Sequence, residues 1–428
     1  MTASNSPRPA TLDQWLEHIS RVHPKTIDLG LERVAQVRDA LGLTPAFPII
    51  TVAGTNGKGS SCAMLEAILM HAGYRVGCYT SPHLLRYNER VRVNGAEADD
   101  AALSRTFSAV DAARGGVPLT YFEFGTLAAM LLFIEHKIDV AILEAGLGGR
   151  LDAVNAFDAD CAVVASIDLD HMDYLGDTRD KIAFEKAGIF RTGKPAVCAA
   201  PDMPHTMREH ARAIGARLLV IGEDFGYVEE FQQWRYWGPG GQHAGLPYPA
   251  LRGAFQLANA SGCMTALDQL RERLPVTMND VRSGLLLATV PARFQVLPGR
   301  PAVILDVAHN PQAARGLAAN VAAMAGYRRT IAVFAMLGDK NIGGVIEIMA
   351  PHVDDWYVAG LQEPRGTTVE HIAEALAQQR VRGGVRTFAT VADAYRAACG
   401  TVSENDRILV FGSFHTVAAV MQERRSIA

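Results

Sequence analysis

Short apolar runs that end in glycine or polar residues alternate along this chain with stretches of helical periodicity, and residues 48–60, PIITVAGTNGKGS, are the clearest case. Their β-branched start, Ile49–Val52, predicts a buried strand. A glycine-rich turn around Lys58 follows, and residues 61–73 then place apolar side chains at helical spacing as far as a glycine. A strand, a glycine turn and a helix start in this order predict a loop that binds phosphate through backbone N–H groups and the lysine.

This loop departs from the usual phosphate-loop sequence at two positions. The residue five before Gly57 is Val52 rather than glycine, and Lys58 is followed by Gly59 where a serine or threonine would hold magnesium. A glycine-rich turn is also compatible with a tight loop that binds nothing. If phosphate binds here, the metal must take its ligands from elsewhere in the chain.

Polar side chains follow two further predicted strands. Ser81 comes just after the strand predicted over residues 75–79, and Glu144 directly follows the strand predicted over residues 138–143. Open α/β sheets bind ligands at the carboxyl ends of their strands, and an acid there is typical of a magnesium ligand. Glu144 is therefore a candidate metal ligand. Ser81 is a candidate for the hydroxyl that Gly59 lacks, although an isolated Ser-Pro also fits a simple turn.

Three other side chains each have two interpretations. His171 follows a predicted strand among three aspartates, which fits either a metal ligand or a solvated acidic loop. Glu123 lies among aromatic residues near the start of the helix predicted over residues 119–134, which fits either a site for a flat heterocyclic ring or a core helix. Lys186 lies one turn above an apolar helix face, where lysines normally extend to solvent, and the residues alone give no reason to choose otherwise.

The last third of the chain contains a second series of alternating strands and helices. Strands are predicted over residues 303–307, 331–336, 356–361 and 408–411, with Asp306 and His309 after the first of them. Alternation of this kind predicts a parallel, Rossmann-like sheet. Proline and glycine concentrate at residues 298–301, just before this series. We therefore divide the chain into a first domain over residues 1–292, a linker over residues 293–301 and a second domain over residues 302–428.

Composition narrows the class of protein. A chain of 428 residues is too long for one ordinary core, and 49% hydrophobic with 20% charged residues is typical of a globular protein. The net charge of −4 and the lack of a basic arm argue against a nucleic-acid partner. No apolar run approaches the roughly 18 residues of a membrane span, so we expect no membrane association. The six cysteines are scattered without a C-x-x-C pair, which predicts reduced thiols in a cytoplasmic protein.

Nine motifs in a fixed order then point to a known family. They are AGTNGKGS, YTSPH, TYFEF, EAGLGGRLDAVN, SIDLDH, FEKAGI, PARFQ, DVAHNP and GSFHTVA. In order and spacing they resemble the folylpolyglutamate synthases of the Mur ligase superfamily, and the resemblance covers essentially the whole chain. The early segment HPKTIDLGLERV resembles the bacterial bifunctional form, which is also a dihydrofolate synthase.

The resemblance implies an N-terminal P-loop ATPase domain and a C-terminal Rossmann-like ligase domain, with the active site between them. Lys58, His171 and Lys186 are implied to be catalytic. Magnesium is implied at two sites, with Ser81, Glu144 and His171 as ligands and Lys186 as a carbamate formed from carbon dioxide. The residues implied to bind ATP are Thr55, Asn56, Gly57, Lys58, Gly59, Ser60, Asn259, Arg293, Asp306 and His309.

The implied activity is the ATP-dependent ligation of L-glutamate to 7,8-dihydropteroate and to tetrahydrofolate through an acyl phosphate, by a monomer. The residues implied to bind the pterin are Ile27, Asp28, Leu29, Gly30, Thr120, Tyr121, Phe122, Glu123, Leu151, Asp152 and Ala153. Two alternatives stay open. One is another Mur-type amino-acid ligase acting on a cell-wall nucleotide precursor, and the other is a P-loop nucleotide-binding protein without ligase chemistry.

Three motif positions depart from the family's usual sequence. Ala145, Val154 and Ala292 stand where the family usually has valine, threonine and glycine. None of these positions carries a charge or an implied metal ligand. We therefore expect only local repacking at all three.

Overall fold

The computed structural model describes residues 9–253, 255–363 and 365–427. The sequence pattern also predicts a helix over residues 254–270, and the first residue of that prediction lies outside the described residues. The chain divides into two compact units. The first comprises Met1–Tyr248 and Ala258–Ala288, and the second comprises Pro249–Leu257 and Thr289–Ala428. Each unit is built around its own sheet.

The sheet of the first unit has eight strands in the order β4-β3-β2-β5-β1-β6-β7-β8. The strands are β1 (Ile49–Ala53), β2 (Val76–Tyr79), β3 (Val91–Val93), β4 (Ala96–Glu97), β5 (Val140–Glu144), β6 (Cys161–Val164), β7 (Pro195–Cys198) and β8 (Arg217–Val220). All pairs are parallel except those that involve β3 and β4. Because β1, β2, β5 and β6 are mutually parallel neighbours, the polar segments that follow them emerge at one edge of the sheet.

Helices connect these strands, and a small antiparallel sheet follows them. The helices are α1 (Leu12–Val22), α2 (Glu32–Ala40), α3 (Lys58–His71), α4 (Asp100–Arg114), α5 (Tyr121–Glu135), α6 (Met172–Leu175), α7 (Arg179–Ala187), α8 (His205–Ile214), α9 (Gln256–Leu270) and α10 (Met278–Leu287), with 3₁₀ turns at Tyr87–Arg90 and Ala153–Ala156. The antiparallel strands are β9 (Gly226–Glu230), β10 (Gln233–Gly238) and β11 (Gly241–Leu246). The helix predicted over residues 119–134 is α5, which begins where Thr120 and Glu123 form a reciprocal capping box.

The sheet of the second unit has six strands in the order β12-β13-β17-β14-β15-β16. The strands are β12 (Gln295–Leu297), β13 (Ala302–Leu305), β14 (Thr330–Phe334), β15 (Asp355–Ala359), β16 (Gly384–Phe388) and β17 (Arg407–Phe411). The helices are α11 (Pro311–Ala323), α12 (Ile342–Met349), α13 (Val369–Gln378), α14 (Val391–Cys399) and α15 (Phe414–Ile427), with a 3₁₀ turn at Ala350–His352. Only β12 pairs antiparallel, so the predicted Rossmann-like parallel sheet is confirmed.

The structure differs from the sequence pattern at two boundaries. The helix after the glycine turn begins at Lys58 rather than at residue 61, because the polar residues KGSS continue the helical backbone before the first apolar position. The stretch predicted as a linker, residues 293–301, contains β12, whose backbone pairs with β13 and so extends the second sheet. The division between the two units falls earlier, after Ala288.

Two further findings concern the class of protein. Within the described residues, every helix is too short or too polar to cross a membrane. All six cysteines are free thiols, and all except Cys399 are buried.

Candidate active site

The glycine turn between β1 and α3 has the form of an anion site. Gly57 has a φ of 86° and precedes the first residue of α3, Lys58. The N–H groups of a helix's first turn have no acceptor within the helix and favour anions. Lys58 Nζ donates to the carbonyls of Gly54, at 2.9 Å, and Thr55, at 3.3 Å, so its ammonium group lies over the loop. A β-carbon on Gly57 would lie 2.8 Å from Asn259 Oδ1, which brings α9 against the turn.

The segment after β6 fixes the conformation of this loop. Thr55 N donates to Ser166 O at 2.9 Å, and Asn56 N donates to Ser166 Oγ at 2.9 Å. The Thr55 hydroxyl donates to Asp168 O and accepts from Asp168 N, both at 3.0 Å. Thr55 and Asn56 are therefore held by the SIDLDH motif, which explains why the two motifs belong together.

Two of the candidate metal ligands lie next to each other beside the loop. Glu144, the last residue of β5, is 4% exposed, and its Oε2 accepts a hydrogen bond from Ser81 N at 3.2 Å. A β-carbon on Gly59 would lie 4.0 Å from the same Oε2. The first turn of α3 thus comes close to a buried carboxylate at the carboxyl end of the neighbouring strand.

Lys186 is buried near the loop rather than extended to solvent. Its side chain lies on α7 and is 3% exposed. Burial lowers the pKa of Lys186 to about 7, the charge of Lys58 acts in the same direction, and Asp170 and Asp152 oppose both. Burial also raises the pKa of Asp152 to about 7, against hydrogen bonds from the backbone N–H groups of Leu147 and Val154. Lysines 58 and 186 therefore share one electrostatic environment with two aspartates.

His171 lies at the start of α6, in the segment after β6. Its backbone is left-handed, with a φ of 51°, and its N–H donates to Asp170 Oδ1 at 2.9 Å. No group of three or more His, Cys, Asp and Glu side chains in the described residues has the arrangement of a metal site. The ligand set that the resemblance implies, Ser81, Glu144 and His171 with Lys186 as a carbamate, therefore stays a prediction.

The first two predicted pterin segments meet at an arginine that sequence reasoning did not single out. Arg33 Nη1 lies 2.8 Å from Asp28 Oδ2, and Arg33 Nη2 lies 3.1 Å from Glu123 Oε1. Glu123 is 3% exposed, and its Oε2 accepts from Thr120 N at 2.7 Å. Among the described residues, none hydrogen-bonds Glu123 Oε1. The sequence signal that could have identified Arg33 is its position in IDLGLERV, the segment that also contains the predicted pterin residues 27–30.

The third segment lies against the first two. Gly30 N donates to Leu151 O at 3.4 Å, which joins residues 27–30 to residues 151–153. Phe122 packs on Tyr79 with 5.6 Å between ring centres, and a β-carbon on Gly146 would lie 2.9 Å from the Phe122 ring. The three segments named by the resemblance thus come together, although they are far apart in sequence. They contain Ile27, Leu29, Tyr121 and Ala153 besides the residues already described.

The second unit holds its candidate residues around a strained turn. Arg293 stands between Ala292, with a φ of 58°, and Phe294, with a φ of 46°. Asp306 accepts from Phe294 N through Oδ2 and from Ala308 N through Oδ1, both at 2.8 Å. Desolvation raises the pKa of Asp306, opposed first by Arg293. The Arg293 guanidinium lies 5.3 Å from the ring centre of Phe414, and His309 Nδ1 lies 2.8 Å from Val307 O.

Comparison with known proteins adds three kinds of finding. Residues 52–267 match the Mur ligase middle domain, and residues 292–414 match the Mur ligase, glutamate ligase domain. The dihydrofolate synthase/folylpolyglutamate synthase of Escherichia coli (strain K12) is 47% identical over 99% of this chain and 98% of its own. Its counterpart in Haemophilus influenzae is 39% identical over 95% of this chain and 96% of its own.

Solved structures give the same picture. E. coli FolC in complex with DHPP and ADP superposes with a TM-score of 0.93 at 46% identity, covering 99% of this chain and all of that one. A bifunctional folylpolyglutamate synthase/dihydrofolate synthase from Yersinia pestis, complexed with AMPPNP and Mn ion, superposes with a TM-score of 0.91 at 45% identity, covering 98% of this chain and 100% of that one. A third structure of this kind, with Mn, AMPPNP and L-glutamate bound, gives a TM-score of 0.91 at 44% identity, covering 99% and 100%.

Proposed function

Because the chain belongs to the dihydrofolate synthase/folylpolyglutamate synthase family of Mur ligases, we propose that it joins L-glutamate to two substrates. These are 7,8-dihydropteroate, which becomes dihydrofolate, and tetrahydrofolates, which become polyglutamates. It is an ATP-dependent carboxylate–amine ligase. The observation that carries the proposal is the joining of the three pterin segments by Arg33 and Gly30 in the same unit as a lysine-bearing phosphate loop.

We assign ATP binding first to the loop Thr55–Ser60, where the start of α3 and the Lys58 ammonium favour a phosphate chain. Asn259 packs against Gly57 and is the second candidate in the first unit. In the second unit, Arg293, Asp306 and His309 are the residues that we propose for ATP binding. We propose that the first unit is the nucleotide-binding domain and that the second is the ligase domain, so the boundary expected at residues 293–301 moves to residues 288–289.

The residues beside the loop fit a divalent metal, which we take to be Mg²⁺. Glu144 contributes a buried carboxylate, a hard oxygen ligand of the kind that magnesium prefers. The backbone N–H of Ser81 donates to this carboxylate, and we propose that the Ser81 hydroxyl is the second oxygen ligand. His171 is the third proposed ligand. When bound, Mg²⁺ would neutralise the negative charge that develops on the phosphoryl oxygens.

Lys186 supports a second metal position. A carbamate forms only on a neutral amine, and burial lowers the pKa of Lys186 to about 7. A buried ammonium without a carboxylate partner is costly, whereas a carbamate is anionic and matches a cation. We therefore propose that Lys186 reacts with carbon dioxide and holds a second Mg²⁺.

The chemistry follows from these assignments. The substrate carboxylate attacks the γ-phosphorus of ATP, ADP leaves, and an acyl phosphate forms. The amine of L-glutamate then attacks the acyl carbon, loses a proton and displaces phosphate. Lys58 stabilises the charge on the transferred phosphoryl group. Glu123, Asp152 and the half-buried Asp28 orient the pterin, whose ring N–H groups donate to carboxylates.

The direct test is ADP release by the purified protein with ATP, Mg²⁺ and L-glutamate, in the presence of 7,8-dihydropteroate or of tetrahydrofolate. Stimulation by both substrates supports the bifunctional enzyme, and stimulation by tetrahydrofolate alone leaves only the polyglutamating activity. Stimulation by neither would favour another Mur-type ligase. ATP binding without any amino-acid-dependent hydrolysis would favour a nucleotide-binding protein of another class.

Lys58→Ala tests the phosphate loop itself. We expect glutamate-dependent ADP release to fall at least about 10³-fold, because one preorganised charge on the transferred group contributes several kcal/mol. Lys181→Ala is the control, since Lys181 is exposed and pairs with exposed Asp177 on the surface. Near-normal turnover of folded Lys58→Ala would overturn the assignment.

Location and assembly complete the proposal. We propose a cytoplasmic enzyme, which the six free thiols support. We also propose that it acts as a monomer and has no nucleic-acid partner. Size-exclusion chromatography with light scattering tests whether the protein is a monomer, and a nucleic-acid gel-shift assay tests whether it binds nucleic acid.

A further inference from the structure

Arg90 is a cation held by aromatic rings rather than by an acid. It ends the 3₁₀ turn Tyr87–Arg90, and its guanidinium carbon lies 5.5 Å from the ring centre of Tyr87 and 5.5 Å from that of Tyr121. Its Nε donates to His83 Nδ1 at 2.8 Å. Cation–π contacts and one hydrogen bond to a ring nitrogen fix the side chain, but they do not neutralise it.

The neighbouring arginines behave differently. Arg86 pairs with Glu97, and Arg92 pairs with Glu66 at 2.8 Å. Arg90 forms no ion pair with any carboxylate in the part of the chain that the structure describes. A guanidinium carries five N–H donors in a planar fork, and the Nη donors of Arg90 remain suited to a carboxylate.

Arg90 also touches both regions that a folate must reach. Tyr121 belongs to the proposed pterin segment Thr120–Glu123, and His83 follows the proposed metal ligand Ser81 by two residues. The backbone carbonyl of Arg90 accepts from Thr80 N at 2.9 Å, which ties the turn to the strand end before Ser81. A substrate that runs from a pterin to a reacting carboxylate would pass this guanidinium.

The two proposed substrates differ in one carboxylate. Dihydropteroate carries a single carboxylate, and that one reacts. The glutamyl residue of tetrahydrofolate carries a reacting γ-carboxylate and an α-carboxylate that stays charged throughout. A cation bound to the reacting group would stabilise the ground state and lose its partner as the acyl phosphate forms, which does not accelerate the reaction. A cation bound to the α-carboxylate has no such penalty.

We propose that Arg90 binds the non-reacting α-carboxylate of the folate's glutamyl tail, and so serves the polyglutamating activity but not dihydrofolate synthesis. The inference rests on the proposed function. It makes Arg90 a specificity-determining residue that separates the two activities of one active site.

The test is the pair of KM values for tetrahydrofolate and dihydropteroate in Arg90→Met, whose side chain keeps apolar contact with the two tyrosine rings. We expect the KM for tetrahydrofolate to rise roughly 10–100-fold, the range for one charge-assisted hydrogen-bonded pair, and the KM for dihydropteroate to change less than about twofold. Arg86→Met is the matched control, because it removes an exposed charge just before the same turn, and both of its KM values should stay unchanged.

A substrate analogue provides a second measurement that does not depend on the folding of the variant. Tetrahydropteroyl-4-aminobutyrate lacks only the α-carboxylate, so its KM with the wild-type enzyme should exceed that of tetrahydrofolate at least about tenfold. Arg90→Met should treat the two alike, and Arg90→Lys should keep part of the preference. Equal KM values for analogue and tetrahydrofolate in the wild type, or equal KM increases for tetrahydrofolate and dihydropteroate in Arg90→Met, would overturn the inference. Failure of the wild type to turn over either natural substrate would instead refute the proposed function.

Discussion

Arg33 and Glu123, which are 90 residues apart in the sequence, form an ion pair with 3.1 Å between Nη2 and Oε1. The same guanidinium reaches Asp28, so one side chain joins two of the three segments that we assign to the pterin. Glu123 is almost completely buried, and removal of the cation from a buried ion pair leaves an uncompensated charge that destabilises the fold. The shape of the proposed pterin site therefore depends on a residue that need not touch the substrate.

Arg33→Ala should separate binding from chemistry. We expect the KM for dihydropteroate to rise about tenfold or more while the KM for ATP stays within about twofold, because Glu123 and Asp28 lose their common partner. The free energy of unfolding should fall by about 3 kcal/mol, as is typical when one partner of a buried ion pair is removed. Steady-state kinetics and urea unfolding measure the two effects.

Arg21→Ala is the control for that experiment, since Arg21 and Glu17 form an exposed pair on α1. Its unfolding free energy should change by less than about 0.5 kcal/mol. A folded Arg33→Ala enzyme with the wild-type KM for dihydropteroate would show that Arg33 does not position the pterin site.

Gly57→Ala and Gly73→Ala make a matched pair that isolates the phosphate loop. Both glycines are left-handed, with φ of 86° and 89°, so alanine should cost each about 1–2 kcal/mol of stability. A β-carbon at Gly57 also lies 2.8 Å from Asn259 Oδ1, whereas one at Gly73 meets no heavy atom within 4 Å. We therefore expect only Gly57→Ala to weaken the binding of an ATP analogue, by more than about tenfold. Equal calorimetric Kd values in the two variants would contradict this.

Lys186→Ala should be inactive and partly recover with small carboxylic acids, which replace the carbamate. Because burial lowers the pKa of Lys186 to about 7, the amine is mostly neutral at pH 8 and mostly protonated at pH 6. When the same concentration of dissolved carbon dioxide is supplied at both pH values, activity lost in carbon-dioxide-free buffer should thus return faster at pH 8 than at pH 6. Lys181→Ala, an exposed lysine on the same helix, should need no rescue. Full wild-type activity without carbon dioxide would rule out the carbamate.

Ala292→Gly should stabilise the protein. Ala292 occupies the left-handed region with a φ of 58°, at the position where the family's usual motif has glycine. This alanine therefore strains the backbone, in addition to the local repacking that we expected from the sequence. Relief of about 1–2 kcal/mol of strain exceeds the entropic cost of a glycine, about 0.4–1 kcal/mol, and leaves a net gain of roughly 0.5–1 kcal/mol. Urea unfolding measures the gain, and Ala319→Gly, at an exposed interior position of helix α11, should lower stability instead.

The parts of the fold that the sequence predicts are those with long, regular patterns. Strands such as Val140–Glu144 and helix α5 carry continuous apolar runs, and their polar ends mark the edge where ligands bind. The strands β3 and β4 have only three and two residues and alternate too briefly to be recognised. β3 takes its place by pairing with β2, and β4 by pairing with β3, and no local pattern contains either pairing.

The site residues also divide into those that a local pattern predicts and those that depend on contacts distant in sequence. Glu144 is a candidate from its place after a strand, but a lysine on an apolar helix face, such as Lys186, has the same sequence pattern whether it is buried or extended. Only tertiary packing decides between the two, as it does for the pairing of Arg33 with Glu123. The left-handed backbone of Ala292 has no signal in the alanine itself, because alanine disfavours this region, and only the glycine usual in the family's motif points to it.

The second unit includes Pro249–Leu257 from the middle of the chain, so the polypeptide passes from one unit to the other three times. Within that unit, Phe255 lies against α11, where a β-carbon on Gly316 would be 3.1 Å from its ring. A gene fragment that starts at Thr289 would lack Pro249–Leu257. A fragment that ends at Ala288 would contain Pro249–Leu257 but not the residues of the second unit against which this segment packs. The fragment that starts at Thr289 should therefore have an incomplete core, and the one that ends at Ala288 should expose an apolar segment. A functional split enzyme would need the break at a surface loop within one unit.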